Sequence, residues 1–479
     1  MSISGSEAAG DTAVASGREG DPAEKSDGAH VRVPVAHGRK LERRQFITHN
    51  AVAAVGTIGA GIAGLFLQAL VSHHFRPVEY GQAFAVFSFF TVLTQPAAGF
   101  SRMIAWATSR ELATTDRDDG QSSALLRVTN NRLMVGGTLI GIAFVIAAPL
   151  VSSYLNVPAY FVVLGALGVP FMFATSPLQA SLQGEQRWVP WSALSIGIAL
   201  SRVLFVVIFI ILGFGVAGVL LGISVAAAAV YVVALVMVWP RIRRGRDPAR
   251  WRPLWRFLVL SIASTVTVSV LMGSDVVMVE HFFGGKQGGQ FSAVTVTSRA
   301  LFFVMGSVTS VLFPKVAASH ARKRGTKNVV FASVGLAMIG SLLGFIVFSA
   351  GSHLILRAFS GQGYEAGASY IGWYALGMPL LAAIVMLSNT QQSLADLRLL
   401  WVLILGAALK PLLIYFFHDT LLVVALMSDI SIAAVLVALS IQYLMSERRA
   451  GLNLRPPNGE DKGVVVERVI AESPPSLGP

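Results

Sequence analysis

Long apolar stretches alternate with short polar segments along most of the chain. A helix needs about 20 mostly apolar residues to cross a bilayer. Twelve stretches have about that length and are predicted to be transmembrane helices, at 48–71, 80–107, 132–153, 159–183, 190–212, 216–239, 257–280, 290–314, 329–350, 369–391, 399–418 and 420–445. The pattern therefore predicts an all-α integral membrane protein with about twelve transmembrane helices.

The composition agrees with this prediction. Of the 479 residues, 54% are apolar and only 13% are charged, whereas soluble domains carry about 25% charged residues. Cysteine is absent, which excludes disulfides and thiolate metal sites. We expect no metal, no cofactor and no catalytic domain.

Polar segments flank the apolar region and divide it. Residues 1–46 are rich in small and charged residues and have no apolar core of a cleavable signal, so we predict a disordered cytoplasmic N-terminal tail. A second disordered tail is predicted at 446–479. Between the tails we expect an N-terminal six-helix lobe at 47–239, a basic cytoplasmic linker at 240–256 and a C-terminal six-helix lobe at 257–445.

Basic residues predict the orientation, because Lys and Arg near span ends are retained on the cytoplasmic side. With the N-terminus inside, the inner flanks hold about 25 Lys and Arg, and the outer loops hold only Arg76, Lys286 and Arg357. We therefore predict a multi-pass protein of the cytoplasmic membrane with both termini cytoplasmic. The Arg-rich segment 241–256 is interpreted as a topology determinant or a contact with anionic lipids, and no nucleic-acid partner is expected.

The two halves of the chain resemble each other at matching offsets. The matching elements are GQAFAV at 81–86 with GQFSAV at 289–294, Arg202 with Lys410, each 208 residues apart, and Pro170 with Pro379, 209 residues apart. A duplication of six spans gives both halves the same orientation. The halves should then be related by an axis along the membrane normal, with a central cavity between them.

One glycine motif has an alternative interpretation. Gly59, Gly61 and Gly64 form GxGxxG, and Glu79 follows at the spacing of a dinucleotide-binding fingerprint. The glycines lie inside a continuous apolar stretch, and no soluble βαβ segment follows. We interpret them as a small-residue face for close helix packing.

Charged residues inside the predicted spans are the candidate functional residues, because each costs a few kcal/mol unless it faces protein or water. The candidate cavity cations are Arg102, Arg202, Arg299 and Lys410, and the acidic residues are Asp275, Asp429 and Glu280. Arg202 and Lys410 lie near mid-span at repeat-related positions, which favours a cavity-lining role over internal pairing.

The other intramembrane charges leave alternatives open. Arg102 either lines the cavity or extends its head group to the nearby membrane surface. Arg299 and Asp275 form an ion pair with each other or contact substrate. Asp429 pairs with Lys410 or, like Asp275 and Glu280, takes part in ion coupling.

Several segments carry a family resemblance. EYGQAFAVFSFF, its echo GGQFSAVTVTSRALFF, VLFPKVAASHA and GFGVAGVLLG resemble segments of polysaccharide (Wzx-type) flippases, members of the multidrug/oligosaccharidyl-lipid/polysaccharide exporter (MOP) superfamily. The resemblance covers residues 47–445. TLLVVALMSDI, between the last two spans, lacks the small Gly-rich turn that many members carry.

The resemblance implies an alternating-access transporter that moves a polyprenyl-pyrophosphate-linked oligosaccharide across the cytoplasmic membrane. Its implied partners are membrane lipids, the lipid-linked glycan, and a polysaccharide polymerase or glycosyltransferases. The alternatives are a multidrug/cation antiporter of the same superfamily, a major-facilitator-type carrier and, least favoured, a membrane glycosyltransferase or ligase.

The orientation prediction can be checked with reporter fusions. Because basic residues are retained inside, reporters placed after Ser446 and within 241–256 should give a cytoplasmic signal, and one at 360–365 an external signal. A cytoplasmic signal at 360–365 would exclude the twelve-span arrangement.

Overall fold

The computed structural model describes residues 35–114, 121–244, 255–320, 327–392 and 397–453. The chain divides into two compact units, Met1–Phe46 and Ile47–Pro479, and the second unit contains all the predicted spans. Most of the two predicted tails, residues 1–34 and 454–479, and most of the predicted linker lie outside the described residues.

The described residues form fifteen α-helices and one short 3-10 helix, and they contain no strand. The α-helices are α1 (Val35–His74), α2 (Pro77–Thr114), α3 (Gln121–Ile146), α4 (Ala148–Leu155), α5 (Ala159–Ala166), α6 (Val169–Gly184), α7 (Trp188–Ile211), α8 (Gly215–Arg244), α9 (Trp255–Phe282), α10 (Gly285–His320), α11 (Lys327–Ala350), α12 (Ser352–Ser360), α13 (Ile371–Gln392), α14 (Leu399–Phe416) and α15 (Leu421–Asn453). The 3-10 helix is Glu365–Ser369.

These helices confirm the all-α membrane fold. Among the described residues, ten helical segments are long and apolar enough to cross a membrane, and the bent pair α11 and α12 raises the number to 11. The 36-residue helix α10 covers the remaining predicted span at 290–314. Each predicted span is therefore occupied by helix.

Several boundaries differ from the predicted ones for local reasons. Helix α1 begins at Val35, inside the segment predicted as a tail, where Leu, Lys, Arg, Glu and Gln are good helix formers. The predicted span 159–183 consists of α5 and α6, and Pro170 lies at the start of α6, where proline is favoured. Within the connection 351–368, α12 lies at 84° to the second part of α11.

The surface of the helical region is apolar. Ile211, Leu354 and Phe416 are 78%, 75% and 70% exposed, respectively. A soluble protein rarely carries so many exposed large apolar side chains in contiguous patches. In a bilayer they contact lipid tails, and the helices satisfy their own backbone polar groups.

The first half (47–239) contacts the second half (257–445) mainly through α2, which packs against α9 and α10. Gly81 of α2 meets its repeat-related partner Gly289 of α10, so that a Cβ on Gly81 would lie 2.7 Å from the Gly289 nitrogen. Further along α2, a Cβ on Gly99 would lie 2.7 Å from the Ile262 nitrogen of α9. Small residues allow this close approach of the two halves.

The interface predicts a difference between two glycine variants. Gly99→Ala should destabilise the protein by about 1–3 kcal/mol, because the added methyl overlaps the α9 backbone. Gly136→Ala is the matched control, because a Cβ there has no neighbour within 4 Å. Thermal unfolding in detergent measures both, and equal melting temperatures would contradict the close contact.

Candidate functional site

A cavity of about 420 Å³ lies between the two halves. Its walls come from α1, α2 and α7 of the first half and from α9 and α10 of the second. Most lining side chains are small or apolar, including Ala60, Leu65 and Phe303. Two arginines, Arg202 and Arg299, also line it, and no Asp or Glu is among the lining residues that the structure describes. We call this the central cavity.

Arg202 of α7 has no hydrogen bond or ion pair with any described residue. Its guanidinium carbon lies 5.9 Å from the centre of the Phe87 ring, a distance at which a cation is attracted to an aromatic face. All five N–H groups of the guanidinium are therefore available to a ligand or to water.

Arg299 of α10 is partly held by the protein. Its Nη2 donates a hydrogen bond to the Met272 carbonyl oxygen at 2.6 Å, and its guanidinium carbon lies 5.4 Å from the Phe84 ring centre. Its Nε is buried and has no hydrogen-bond partner among the described residues. Of the two alternatives for Arg299, the ion pair with Asp275 does not form. These contacts fix the charge beside the central cavity.

The structure corrects the expected placement of Lys410. Its side chain is fully buried, and its Nζ lies 2.7 Å from Asp275 Oδ2. The Nζ also donates to the Leu271 carbonyl oxygen at 2.6 Å. Lys410 does not line the central cavity, because a carboxylate of α9 lies within reach and neutralises it. The repeat-related cations Arg202 and Lys410 are therefore not brought to one cavity.

Asp275 is the centre of a buried polar cluster in the second half. In addition to Lys410, its Oδ2 accepts hydrogen bonds from Tyr374 at 2.6 Å and Ser428 at 3.4 Å. Asp429 of α15 is not the ion-pair partner of Lys410; its carboxylate packs on Gly377 of α13, where a Cβ would lie 2.3 Å from Asp429 Oδ1. Neither carboxylate lines the central cavity.

The remaining predicted residues, Arg102 and Glu280, lie at the contact between the halves. Arg102 of α2 donates a hydrogen bond to Ser264 of α9 at 3.4 Å. Glu280 of α9 is 1% exposed, and its carboxylate lies against Gly81 and Gly288. Neither side chain is among the residues that line the central cavity. Ion coupling through the acidic residues stays a prediction.

A second cavity, within the first half, was missed by sequence reasoning. It has a volume of about 320 Å³ and is lined by α2, α6, α7 and α8. We call it the polar compartment, because its lining includes Thr91, Thr94, Gln95, Thr175, Ser176, Gln179 and Arg202. The signal in the sequence is the helical spacing of these residues, three and four apart on α2 and on α6, which places them on one face of each helix.

Part of the glycine segment packs helices, as interpreted, and part of it lines a cavity. Residues 58–65 lie within the single helix α1, so the strand and turn of a dinucleotide fold are absent from this segment. A Cβ on Gly56 would lie 2.8 Å from Ser192 Cα, and Gly59 faces Ile196, so α1 packs closely on α7. Gly61 and Gly64 line the central cavity. Among the described residues, no group of three or more His, Asp or Glu side chains could hold a metal ion.

The buried ion pair of Lys410 with Asp275 leads to a prediction that would not hold if Lys410 were a cavity cation. Lys410→Met should lower stability by about 3–5 kcal/mol, because it leaves the Asp275 charge buried without its partner. Adding Asp275→Asn removes that charge and should recover part of the loss. Melting temperatures in detergent measure both steps, and an unchanged value for Lys410→Met alone would contradict the pairing.

Comparisons with known proteins agree with this architecture. A family model described as polysaccharide biosynthesis protein matches residues 75–320. An uncharacterized protein of Mycobacterium tuberculosis is 24% identical over 316 residues, which are 63% of this chain and 71% of that protein.

Solved structures of multidrug transporters share the fold. The MATE multidrug transporter DinF-BH has a TM-score of 0.62 at 17% identity, over 85% of this chain and 96% of that one. A MATE family transporter of the MOP superfamily in an inward-facing conformation has a TM-score of 0.58 at 14% identity, over 84% and 96%. The family match and the shared fold confirm the resemblance: the chain belongs to the polysaccharide biosynthesis protein family and has the fold of MOP-superfamily transporters.

Proposed function

We propose that the protein is a flippase that moves a polyprenyl-pyrophosphate-linked oligosaccharide or polysaccharide precursor across the cytoplasmic membrane. The observation that carries this proposal is the unpaired guanidinium of Arg202 in a cavity between the halves, with Arg299 in the same lining and no carboxylate among the described lining residues. Such a cavity attracts an anionic head group.

A pyrophosphate suits these two side chains. Phosphate oxygens form charge-assisted hydrogen bonds with guanidinium groups, and the planar fork of arginine can hold two oxygens at once. Arg202 offers its full set of N–H groups, whereas Arg299 already donates to Met272. In this proposal Arg202 makes the main phosphate contact and Arg299 adds positive charge.

The apolar part of the lining suits the lipid. Leu65, Met272 and Phe303 face the same cavity as the two arginines. The first units of a polyprenyl chain can pack against such side chains, while the rest of the tail stays in the bilayer. The proposed substrate has both an anionic and an apolar part, and the central cavity has a surface for each.

Alternating access is the proposed mode of transport. The Gly81 contact with Gly289 joins the halves near the first turns of α2 and α10, at the predicted outer side. Separation of this contact, with closure at the predicted inner side, would expose the cavity to the other leaflet. The proposed direction is from the inner to the outer leaflet, as the family resemblance implies, and glycosyltransferases or a polymerase are the proposed partners.

A multidrug/cation antiporter is the second candidate, because the solved structures that share the fold include multidrug transporters. The cation in the cavity argues against it: Arg202 repels an organic cation, and no described lining residue of the central cavity carries a negative charge to attract one. The family match together with the transporter fold supports a transporter of this superfamily over a major-facilitator-type carrier or an enzyme.

Variants of Arg202 test the proposal. In a host that lacks its own flippase, Arg202→Ala should reduce surface polysaccharide about 10-fold or more, because charged hydrogen bonds are worth about 1.5–3 kcal/mol. Arg202→Lys should keep part of the activity, because the charge remains without the fork. The measurement is surface polysaccharide per unit of membrane-inserted protein.

Arg357→Ala is the control, because Arg357 lies on α12 and lines neither cavity. It should give normal display. Normal display by Arg202→Ala would contradict the assigned phosphate contact. Efflux of an organic dye by the native protein, without any surface polysaccharide, would favour the antiporter.

A further inference from the structure

In the polar compartment of the first half, free hydrogen-bond acceptors outnumber free donors. Thr91, Thr94, Thr175 and Ser176 each donate their hydroxyl hydrogen to a carbonyl of their own helix, at 2.8, 3.1, 2.7 and 3.2 Å, respectively. Their oxygens keep lone pairs that can accept. The four hydroxyl groups therefore offer the compartment acceptors and no donors.

The two glutamines extend this pattern. The amide nitrogen of Gln95 donates to the Thr91 carbonyl oxygen at 3.2 Å, and that of Gln179 donates to Ser195 Oγ at 2.7 Å. Each bond uses one of the two amide hydrogens and orients the amide, which leaves one N–H group and the carbonyl oxygen without a partner among the described residues. Apart from Arg202, the polar lining is therefore rich in acceptors.

Arg202 connects the two cavities. It is the only charged residue in the described lining of the polar compartment, and it also lines the central cavity. A ligand whose anionic group binds Arg202 can therefore extend a neutral part into the polar compartment. That neutral part must supply hydrogen-bond donors to match the oxygens of the walls.

We propose that the polar compartment binds the first sugar residues of the glycan, with Gln95 and Gln179 as specificity-determining residues. The inference rests on the proposed function, since it assumes that the pyrophosphate lies at Arg202. Sugar hydroxyls and acetamido N–H groups are donors of the required kind. The volume of about 320 Å³ lies at the lower end of the roughly 300–1,000 Å³ typical of small-molecule sites, so it holds part of a glycan.

The second half is less polar at the positions that match this lining, although Thr91 and Gln179 correspond to Arg299 and Ser388. The offset of 208 relates Thr94 and Gln95 to Phe302 and Phe303, and the offset of 209 relates Thr175 and Ser176 to Ile384 and Val385. The counterpart of Arg202 is Lys410, which is buried in its ion pair. In this proposal the first half therefore makes the main contacts with the sugar.

Site-directed labelling tests this assignment, because the native chain has no cysteine. The Ser176→Cys variant reports on the polar compartment, and the Ala60→Cys variant reports on the central cavity. The probes are a polyprenyl pyrophosphate and the same lipid bearing one N-acetylhexosamine. At a probe concentration ten times its Kd, binding should slow labelling by a hydrophilic thiol reagent about 10-fold.

We expect both lipids to protect Ala60→Cys and only the sugar-bearing lipid to protect Ser176→Cys. Two results would overturn the sugar site and leave the proposed function standing. In the first, both lipids protect Ser176→Cys equally. In the second, Ala60→Cys is protected but neither lipid protects Ser176→Cys. If only the sugar-bearing lipid protects Ser176→Cys and neither lipid protects Ala60→Cys, the sugar site is supported. Pyrophosphate binding in the central cavity is then contradicted. Protection of neither variant contradicts both.

Affinity measurements on the native protein and its variants complete the test. The sugar-bearing lipid should bind about 10-fold more tightly than the polyprenyl pyrophosphate without sugar. The double variant Gln95→Leu and Gln179→Leu should remove this difference in affinity. The affinity for the bare lipid should stay the same. Gln82→Leu, on α2 outside the compartment, is the matched control. An unchanged preference in the double variant overturns the proposal.

Discussion

A charge inside a bilayer must face protein or water, because the lipid tails cannot solvate it. Two cations at equivalent positions of the repeated halves meet this constraint in opposite ways. Lys410 is neutralised by Asp275 within the second half, and Tyr374 and Ser428 supply hydrogen bonds to the same carboxylate. Arg202 has no such partner among the described residues and lies beside two cavities. The buried pair stabilises one half, and the unpaired cation gives the other half a place for an anion.

The contact between the halves lies beside the proposed anion site. Gly81 and Gly289 approach at backbone distance where α2, α9 and α10 converge, and the central cavity lies between these three helices and α1 and α7. Arg202 and Arg299 come from different halves, so a relative movement of the halves changes the distance between the two charges. Alternating access would then change the affinity for a pyrophosphate as well as the side of the membrane from which the site is accessible.

The sequence predicts those features of the fold that depend on local composition. Hydropathy locates the membrane-spanning segments, because every bilayer span needs a long apolar segment, but it does not predict α12 or the division of 159–183 into α5 and α6. The repeat offsets also identify Gly81 and Gly289, which meet in the structure. The pairing of Lys410 with Asp275 could not be predicted in this way, because the two residues are 135 positions apart. The sequence offered Asp429 as a partner for Lys410 and Arg299 as a partner for Asp275. The polar compartment was missed because four helices contribute to it, and uncharged Thr, Ser and Gln residues are common in membrane helices that only pack.

The central claim is that Arg202 holds the pyrophosphate of a lipid-linked glycan. A cryo-EM structure of the native protein in lipid nanodiscs, with a bound polyprenyl-pyrophosphate-linked glycan, tests it most directly. The account predicts phosphate oxygens within about 3 Å of the Arg202 guanidinium nitrogens, with Arg299 beside them and the first sugar next to Gln95 and Gln179. A pyrophosphate bound away from the central cavity, with Arg202 in contact with protein or water only, would contradict it.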